Sequence, residues 1–367
     1  DCSCLRSEEA PEKEIHASVD GATFSLKETA AATKLGHEAP ENVVNNENPT
    51  SHSFTGVLSA AKGYLSRKAA HLTEFVQNQE TAKEEVIETE EPVLDMVSNK
   101  VVRSYLSCPT INLQRSQLEP LSLEPLNEEV RTLPPVRIDD GMIYIGEWDE
   151  YPHGRGTVIV KDNYYYEGYM KNGQKWGYGR MLFSSGDVYE GNFKRDVIHG
   201  TGVLLTHDGS RLEGQFNEWE LSHGVQTLPD KSVYTGSFRN GQWQGEGTLK
   251  KVNGDTYTGE FRKGKFHGHG DLKQANGNAY SGEWVNDKME GHGVFTWKNG
   301  QKYEGEYLND LRHGTGTFWK IDGSTYRGQW SAGKEHGEGE VELTGHHAKR
   351  RVKKGVWEYG VLVHFSK

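Results

Sequence analysis

The feature that most constrains the fold is a short repeat that fills the chain after residue 140. An aromatic-x-Gly start recurs every 22 or 23 residues, and a fixed period of this length is typical of repeat architectures. Such units bury a core only by stacking on their neighbours. The nine start positions are Tyr144, Tyr166, Tyr189, Leu212, Tyr234, Tyr257, Tyr280, Tyr303 and Tyr326.

Each unit predicts a β-hairpin. Positions 0, 2 and 4 of its first strand share one face and are aromatic, Gly and aromatic, as in Tyr257, Gly259 and Phe261. A glycine between two rings lets a further ring lie against bare backbone. We expect the Gly-x-Gly that follows to form the connecting turn. Asp-Gly or Asn-Gly pairs between units, such as 299–300, are a further hairpin signal.

The pattern Y-x-G-E-[WFY]…H-G-x-G-x…[ND]-G closely resembles the MORN (membrane occupation and recognition nexus) repeat. The resemblance covers residues 144–340 in nine units, with a partial unit at 355–357. It implies an all-β fold, an elongated single-layer antiparallel sheet of tandem hairpins. It also implies a scaffold rather than an enzyme, because many long proteins built only from this repeat are scaffolds.

Two units depart from the pattern. Unit two has Trp176 where other units carry His, and unit four starts with Leu212. Unit four also contains Pro229, and Gln226 stands where we expect its second turn glycine. We therefore expect a bend or bulge there. Because a linear array is stabilised mainly between neighbours, we also expect weakly cooperative unfolding, with the least hydrogen-exchange protection at residues 212–230.

Composition divides the chain near residue 140. Residues 1–140 contain 13 Lys and Arg against 24 Asp and Glu, whereas residues 141–367 contain 29 of each. The later part also holds 40 of the 44 glycines and all nine tryptophans. This predicts an acidic N-terminal arm over 1–140 and the repeat array over 141–367. A nucleic-acid partner is disfavoured, because neither part carries the basic stripe that such binding needs.

The mean hydropathy is −0.78, and no run approaches the roughly 18 apolar residues of a spanning helix. We therefore expect a soluble intracellular protein. Its three cysteines, Cys2, Cys4 and Cys108, are too few for a disulfide framework.

Histidines precede glycine in six units and suggest a metal site at first sight. Equivalent atoms of adjacent units lie about 10 Å apart, whereas the ligands of one ion lie about 2 Å from it. We therefore expect these side chains to pack in turns, and we expect no metal, cofactor or catalytic site in the array. The six are His153, His199, His223, His267, His313 and His336.

The array has one basic cluster, located before its terminal Trp357. It is either a solvated loop or a contact with an acidic surface, such as anionic lipid or a tubulin-like polymer. Its residues are Lys349, Arg350, Arg351, Lys353 and Lys354.

The arm combines disordered, helical and extended segments. Residues 1–50 are polar and predicted to be disordered, whereas apolar stripes predict helices over 54–77 and 92–106. Two Leu-Glu-Pro-Leu copies at 118–121 and 123–126 predict extended segments. These elements are either loose linkers or docking elements for a partner or for the chain's own sheet. Acylation of Cys2 and Cys4 would add a membrane anchor.

A single-layer sheet has no second layer over its aromatic face. We therefore expect an exposed groove that binds a helix or an extended peptide, supplied by residues 54–130 or by a partner protein. The predicted groove residues are Tyr189, Phe193, Tyr234, Phe238, Tyr257, Phe261, Tyr280, Trp284, Tyr303, Tyr307, Tyr326 and Trp330.

Two functional hypotheses remain. The first is a non-enzymatic scaffold or adaptor of a cytoskeletal assembly, in a ciliary or flagellar axoneme or at the cell cortex. The second is a peripheral membrane tether at the inner face of the plasma membrane. The acidic arm and neutral array favour the first, because an anionic leaflet attracts basic segments.

Overall fold

The structure is a computed structural model, and it describes residues 99–126, 129–139, 141–343 and 351–366. Cα packing divides the chain into Asp1–Glu41 and Asn42–Lys367, and every described residue belongs to the second unit. The predictions that lie outside the described residues concern the disorder of residues 1–50, helix 54–77, Cys2, Cys4, Lys349 and Arg350.

The described residues form two helices and 21 strands. Helix α1 spans Lys100–Tyr105 and helix α2 spans Pro109–Gln117. The strands are β1 (Arg131–Asp139), β2 (Met142–Trp148), β3 (Pro152–Val160), β4 (Tyr164–Lys171), β5 (Gln174–Phe183), β6 (Val188–Lys194), β7 (Val197–Leu205), β8 (Arg211–Asn217), β9 (Glu220–Thr227), β10 (Val233–Arg239), β11 (Gln242–Lys250), β12 (Thr256–Arg262), β13 (Lys265–Lys273), β14 (Ala279–Val285), β15 (Lys288–Thr296), β16 (Lys302–Leu308), β17 (Leu311–Trp319), β18 (Thr325–Ser331), β19 (Lys334–Leu343), β20 (Arg351–Glu358) and β21 (Val361–Phe365).

Each strand pairs antiparallel with the strands before and after it in the chain, so β1 and β21 are the edges of one sheet. The predicted all-β antiparallel sheet is confirmed. Strands β2 and β3 form unit one, later pairs form units two to nine, and β20–β21 is a terminal hairpin. Because β1 precedes residue 141, the sheet begins inside the stretch assigned to the arm; the domain boundary itself stays a prediction.

The turn within each unit is shorter than the sequence suggested. In unit seven Val285 pairs with Lys288, which leaves only Asn286 (φ 51°) and Asp287 (φ 71°) in the turn. Two consecutive positive φ angles define a type I′ turn, whose twist matches that of the strands. The expectation that Gly-x-Gly makes the turn was therefore wrong. Those glycines lie inside the second strand, where Gly291 (φ 60°) belongs to a bulge.

The Asp-Gly and Asn-Gly pairs lie in five-residue loops between units. In the loop at 297–301 the Trp297 amide donates to the Gln301 carbonyl at 2.9 Å. Side chains also join successive loops: the Asn278 Oδ1 atom accepts the Lys298 amide at 3.0 Å. The loops thus connect neighbouring units as well as neighbouring strands.

The lead tyrosine, present in every unit except unit four, folds over glycine. A Cβ on Gly282 would lie 2.6 Å from the Tyr280 hydroxyl oxygen, so only glycine fits beneath the ring. The hydroxyl then donates to the Glu283 carbonyl at 3.0 Å. Eight of the nine units repeat this bond to the carbonyl three residues ahead, over 2.7–3.1 Å. The Y-x-G motif therefore provides the ring, the glycine that it covers and the hydroxyl that makes the hydrogen bond.

The rings of successive units pack edge to face. Tyr257 meets Trp284 of the next unit with ring centroids 5.5 Å apart, and Tyr280 meets Tyr307 at 5.2 Å. The same contact joins seven pairs of consecutive units along the array. These T-shaped pairs make a continuous core on one side of the sheet. We call this side the core face and the opposite side the second face.

The expectation of an exposed aromatic groove was wrong. The rings are covered by their own unit and by side chains of neighbouring units, and exposure is at most 7% for all twelve side chains. The prediction that these residues bind a partner rested on an exposed surface, and they do not have one. The buried residues are Tyr189, Phe193, Tyr234, Phe238, Tyr257, Phe261, Tyr280, Trp284, Tyr303, Tyr307, Tyr326 and Trp330.

Unit four keeps the sheet continuous despite its departures. Gly224 pairs with glycines on both neighbouring strands, so it fills the second-glycine place that we had assigned to Gln226. The unit is one residue shorter, and its bulge skips only Ser222. Gln226 instead occupies a buried core position, where its side-chain oxygen accepts the Trp243 indole N–H at 2.8 Å. Low protection of unit four stays a prediction.

Tyr280→Phe should destabilise unit seven. The variant leaves the partly buried Glu283 carbonyl without its hydroxyl donor, which costs about 1 kcal/mol. Hydrogen exchange of the unit-seven amides measures the local loss. Tyr178→Phe is the matched control, because that side chain is 40% exposed on the second face. Equal losses in the two variants would contradict the role of the buried bond.

Alkaline pH should unfold the array. Burial raises the pKa of the eight lead tyrosines, that of Tyr326 to about 12. Unfolded tyrosines ionise near pH 10, so the stabilisation is complete below pH 10 and falls as pH rises above it. The limiting slope is about 1.4 kcal/mol per pH unit per tyrosine. Urea midpoints at pH 8, 10 and 11 measure this decline in stability. Tyr280→Phe should reduce the slope of stability against pH by the contribution of one tyrosine.

Candidate functional site

The arm forms two short helices before the sheet. Asn99 caps α1, because its Oδ1 atom accepts the Val101 amide at 2.9 Å. The helix spans only Lys100–Tyr105, because the backbone of its N-cap Asn99 is extended, so the predicted continuous helix over 92–106 was wrong at its start; residues 92–98 lie outside the described part. Helix α2 was not predicted. Pro109 begins it, because a proline at the first helical position costs no hydrogen bond.

Both helices pack on the second face of units one and two. Val102 and Ile111 are at most 3% exposed and belong to one apolar cluster with Ile159, Tyr165 and Leu182 of the sheet. The lead tyrosines of the same units belong to the separate core-face cluster. We had expected the arm in the aromatic groove, so for residues 99–126 that expectation was wrong. The apolar residues of the second face were the missed signal, since later units carry polar residues there.

The Leu-Glu-Pro-Leu copies continue over the same face without regular secondary structure. The Glu119 carbonyl accepts from the Arg180 guanidinium at 2.7 Å, and the Glu124 carbonyl accepts from the Tyr169 hydroxyl at 2.7 Å. Main-chain atoms make both contacts, so the sheet holds this segment as an extended peptide. The arm is thus a docking element for its own sheet, one of the alternatives that the sequence left open.

A row of nineteen glycines crosses the sheet from β2 to β20. Each glycine pairs with the glycine of the next strand, as Gly305 does with Gly293 and Gly316. The full row is Gly146, Gly156, Gly168, Gly179, Gly191, Gly202, Gly214, Gly224, Gly236, Gly247, Gly259, Gly270, Gly282, Gly293, Gly305, Gly316, Gly328, Gly339 and Gly355. Lead tyrosines cover it on the core face.

On the second face, the residues before and after each glycine form two parallel rows, because side chains alternate along a strand. We call the space between these rows the glycine valley. The capping row contains Tyr169, Glu283 and Glu306, and the facing row contains Arg180 and Glu304. The Arg180 and Tyr169 contacts therefore place the extended arm segment across the valley in unit two.

Glutamates of the capping row stabilise the bulges. The Glu283 carboxylate accepts the His292 amide at 3.0 Å, and the Glu306 carboxylate accepts the Thr315 amide at 2.8 Å. Hydrogen bonds from Thr315 also lower the pKa of Glu306. In unit nine Gln329 makes the same bond to the Glu338 amide at 3.0 Å. The cap thus requires a side-chain oxygen but not a charge.

An open cavity of about 900 Å³ occupies the valley at its other end, over units eight and nine and the terminal hairpin. Glycines form its floor, while Glu306 and Glu338 line one wall and Arg327 and Glu340 the other. Trp319 also lines it. The cavity is part of the same valley that holds the arm segment in unit two.

The sequence-predicted site residues are dispersed. The six histidines before glycine recur one or two units apart, and among the described residues no three His, Cys, Asp or Glu side chains converge as a metal site would require. Of the basic cluster, Arg351, Lys353 and Lys354 lie on the exposed part of β20, and Lys354 pairs with Glu340 at 2.8 Å. The capping glutamates were noted only as polar positions, although their fixed place before each bulge is visible in the sequence.

Neither helix of the described region could cross a membrane, since they have six and nine residues.

A family model for the MORN repeat matches seven segments, none of which begins at unit one or unit four. These are residues 166–188, 189–211, 234–256, 257–279, 280–302, 303–325 and 326–341. No curated protein matches the chain.

Among solved structures, the chain is similar to the SAS-4 (dCPAP) TCP domain of Drosophila melanogaster in complex with a proline-rich motif of Ana2 (dSTIL). The identity is 12% and the TM-score 0.28, over 50% of this chain and 96% of that one. It is also similar to the TCP10 domain of Danio rerio CPAP in complex with a STIL peptide, with 14% identity and a TM-score of 0.22, over 59% and 96%. Likenesses of this size carry no argument about function.

Val102→Asp should release the arm from the sheet. The side chain is fully buried against the second face, and an unpaired charge there is costly. We expect trypsin to cut after Arg103 and Arg115 at least tenfold faster, while the thermal unfolding of the array is unchanged. Leu113→Asp is the control, because Leu113 is 59% exposed on α2. Equal cleavage of both variants and the native chain would show that this contact does not hold the arm.

Proposed function

Because the chain is a MORN repeat protein, we propose that it is a non-enzymatic scaffold of a cytoskeletal assembly, axonemal or cortical, which holds extended segments of other proteins in its glycine valley. The observation that carries the proposal is the arm itself. Its segment at 118–126 lies in the valley in unit two, held through carbonyl groups by Arg180 and Tyr169. Since main-chain groups are common to all peptides, the same mode suits other extended chains.

The form of the array supports a scaffold. The valley repeats one unit after another, and each unit contacts mainly its neighbours. Several partner segments, or one long segment, could therefore be held in line. The open cavity over units eight and nine marks a stretch of valley with room for such a segment.

The working surface is then the second face of the sheet rather than the aromatic core face. The aromatic residues form the core and keep the sheet rigid, while the second face makes the contacts. This division suits a scaffold, because a partner can bind or leave without disturbing the rings that stabilise the sheet.

Filling the valley tests this function. Thr258→Trp with Ser281→Trp places two large side chains on exposed positions of the facing row. Val252→Trp with Ile321→Trp is the matched control, because both residues are at least 67% exposed in loops between units. Tagged full-length proteins are expressed in ciliated cells, and the detergent-insoluble cytoskeleton is separated and imaged.

We expect the native chain and the control to stay with the axoneme or cortex after extraction, and the filled variant to be lost from it by at least fivefold. Retention of the filled variant would show that the valley is not the working surface. Extraction of the native chain together with membrane lipids would favour the membrane tether instead.

A further inference from the structure

We propose that the valley of units six to eight takes an extended segment with a lysine or arginine at every third residue. The inference rests on the proposed use of the valley and specifies its partner. It combines the charge of the valley walls, the spacing of their carboxylates and the way in which the valley already holds an extended chain.

The capping row is acidic in this half of the array. Between β11 and β19 it carries five glutamates and no Lys or Arg, and Glu246 stands directly opposite Glu260 in the register. Like charges directly opposite each other destabilise a pair of strands. A cationic partner would relieve this repulsion. The five are Glu246, Glu260, Glu283, Glu306 and Glu338.

The facing row adds no cation over units five to seven. It contains threonine, serine and valine there, with Asp271 as its single charged residue. Lys250 and Lys273 lie two residues further along their strands, beyond this row, and are exposed. Arg327 enters the facing row only in unit nine. Among the Lys, Arg, Asp and Glu side chains of its two rows, the valley of units five to seven thus carries only carboxylates, while His269 and His292 lie in the capping row opposite Glu283 and Glu306.

The spacing of the carboxylates matches an extended peptide. Glu260, Glu283 and Glu306 recur once per unit, which is two strands or about 9.6 Å at ~4.8 Å per strand. A polyproline II segment rises about 3.1 Å per residue and has three residues per turn, so every third side chain returns to the same side after about 9.3 Å. A basic residue at every third position would therefore meet one glutamate per unit.

The arm segment shows that a chain can lie in this valley without pairing as a strand. Its residues 118–126 have no regular hydrogen-bonded structure, and side chains of both rows contact its carbonyl groups. Its own charged residues are Glu119 and Glu124. Arg155 of the capping row, which is paired with Tyr169, interacts electrostatically with Glu124, whereas Arg180 contacts the main-chain carbonyl of Glu119. The acidic half of the valley requires the opposite charge.

The test removes charge without removing the bulge caps. Glu260→Gln, Glu283→Gln and Glu306→Gln are combined in the full-length chain, because Gln329 shows that an amide oxygen makes the same cap. The control combines Glu218→Gln, Glu220→Gln and Glu358→Gln, which change the same charge at exposed positions outside the valley. Thermal unfolding verifies that both variants are folded.

Two labelled peptides of twelve residues are the probes, and fluorescence anisotropy measures their binding. One is (Lys-Pro-Pro)4, with lysine at every third position, and the other has the same composition with its four lysines adjacent. We expect the regular peptide to bind the native chain at least tenfold more tightly than the clustered one. The valley variant should lose at least tenfold in affinity, and the control variant less than twofold.

Equal affinity for both peptides would overturn the inference, as would equal losses in the two triple variants or no binding of the regular peptide. These failures are distinct from a failure of the proposed function. If the lysine peptide does not bind but the tryptophan-filled variant still leaves the cytoskeleton, the valley works with a partner of another charge.

Discussion

The structure depends on one contact: a tyrosine ring that lies flat against two glycines of its own hairpin. The glycines must lack a Cβ for the ring to approach, and the ring must carry a hydroxyl to satisfy the carbonyl beyond them, as Tyr280 does for Glu283. Repetition of the contact aligns the glycines of adjacent strands into a continuous row. A single sheet thereby has a hydrophobic core without a second layer, because the rings on one of its sides bury each other.

Because of this contact, the two faces of the sheet have different roles. The side chains of the core face are buried by packing between successive units, so substitutions there lower the stability of the sheet. The second face is left with two rows of side chains over a glycine floor, and it varies along the array. In units one and two it is apolar and covered by α1 and α2, with Tyr165 and Leu182 buried beneath them. Further along the array it becomes polar and acidic. One scaffold therefore presents different chemistry at different units.

The sequence predicted the repeat, the hairpins and the single sheet, because alternation such as Tyr257, Gly259, Phe261 is local. It misplaced the turn, since two nearby glycines suit a bulge as well as a turn. The Asn286-Asp287 pair, which tolerates positive φ, was the better signal. The burial of the rings could not be predicted from one unit, because it depends on contacts with side chains of neighbouring units. The valley was missed because its rows are formed by register between strands.

The terminal hairpin shows how such a core can end. At the position of the lead tyrosine, β20 carries Lys353, whose Nζ atom lies 4.7 Å from the centre of the Phe365 ring. Trp357 still packs against Tyr326 of unit nine, at 5.0 Å between ring centroids. The hairpin therefore covers the last ring of the array but offers no tyrosine to a further unit. Replacing the repeated ring by a charged side chain closes the core face, as terminal repeats with polar surfaces do in linear arrays. The glycine row nevertheless continues to Gly355 on β20, so the valley extends one strand beyond unit nine, which holds the last lead tyrosine. The valley and the core thus end at different places, which is possible only because the two faces are built from different residues of the same strands.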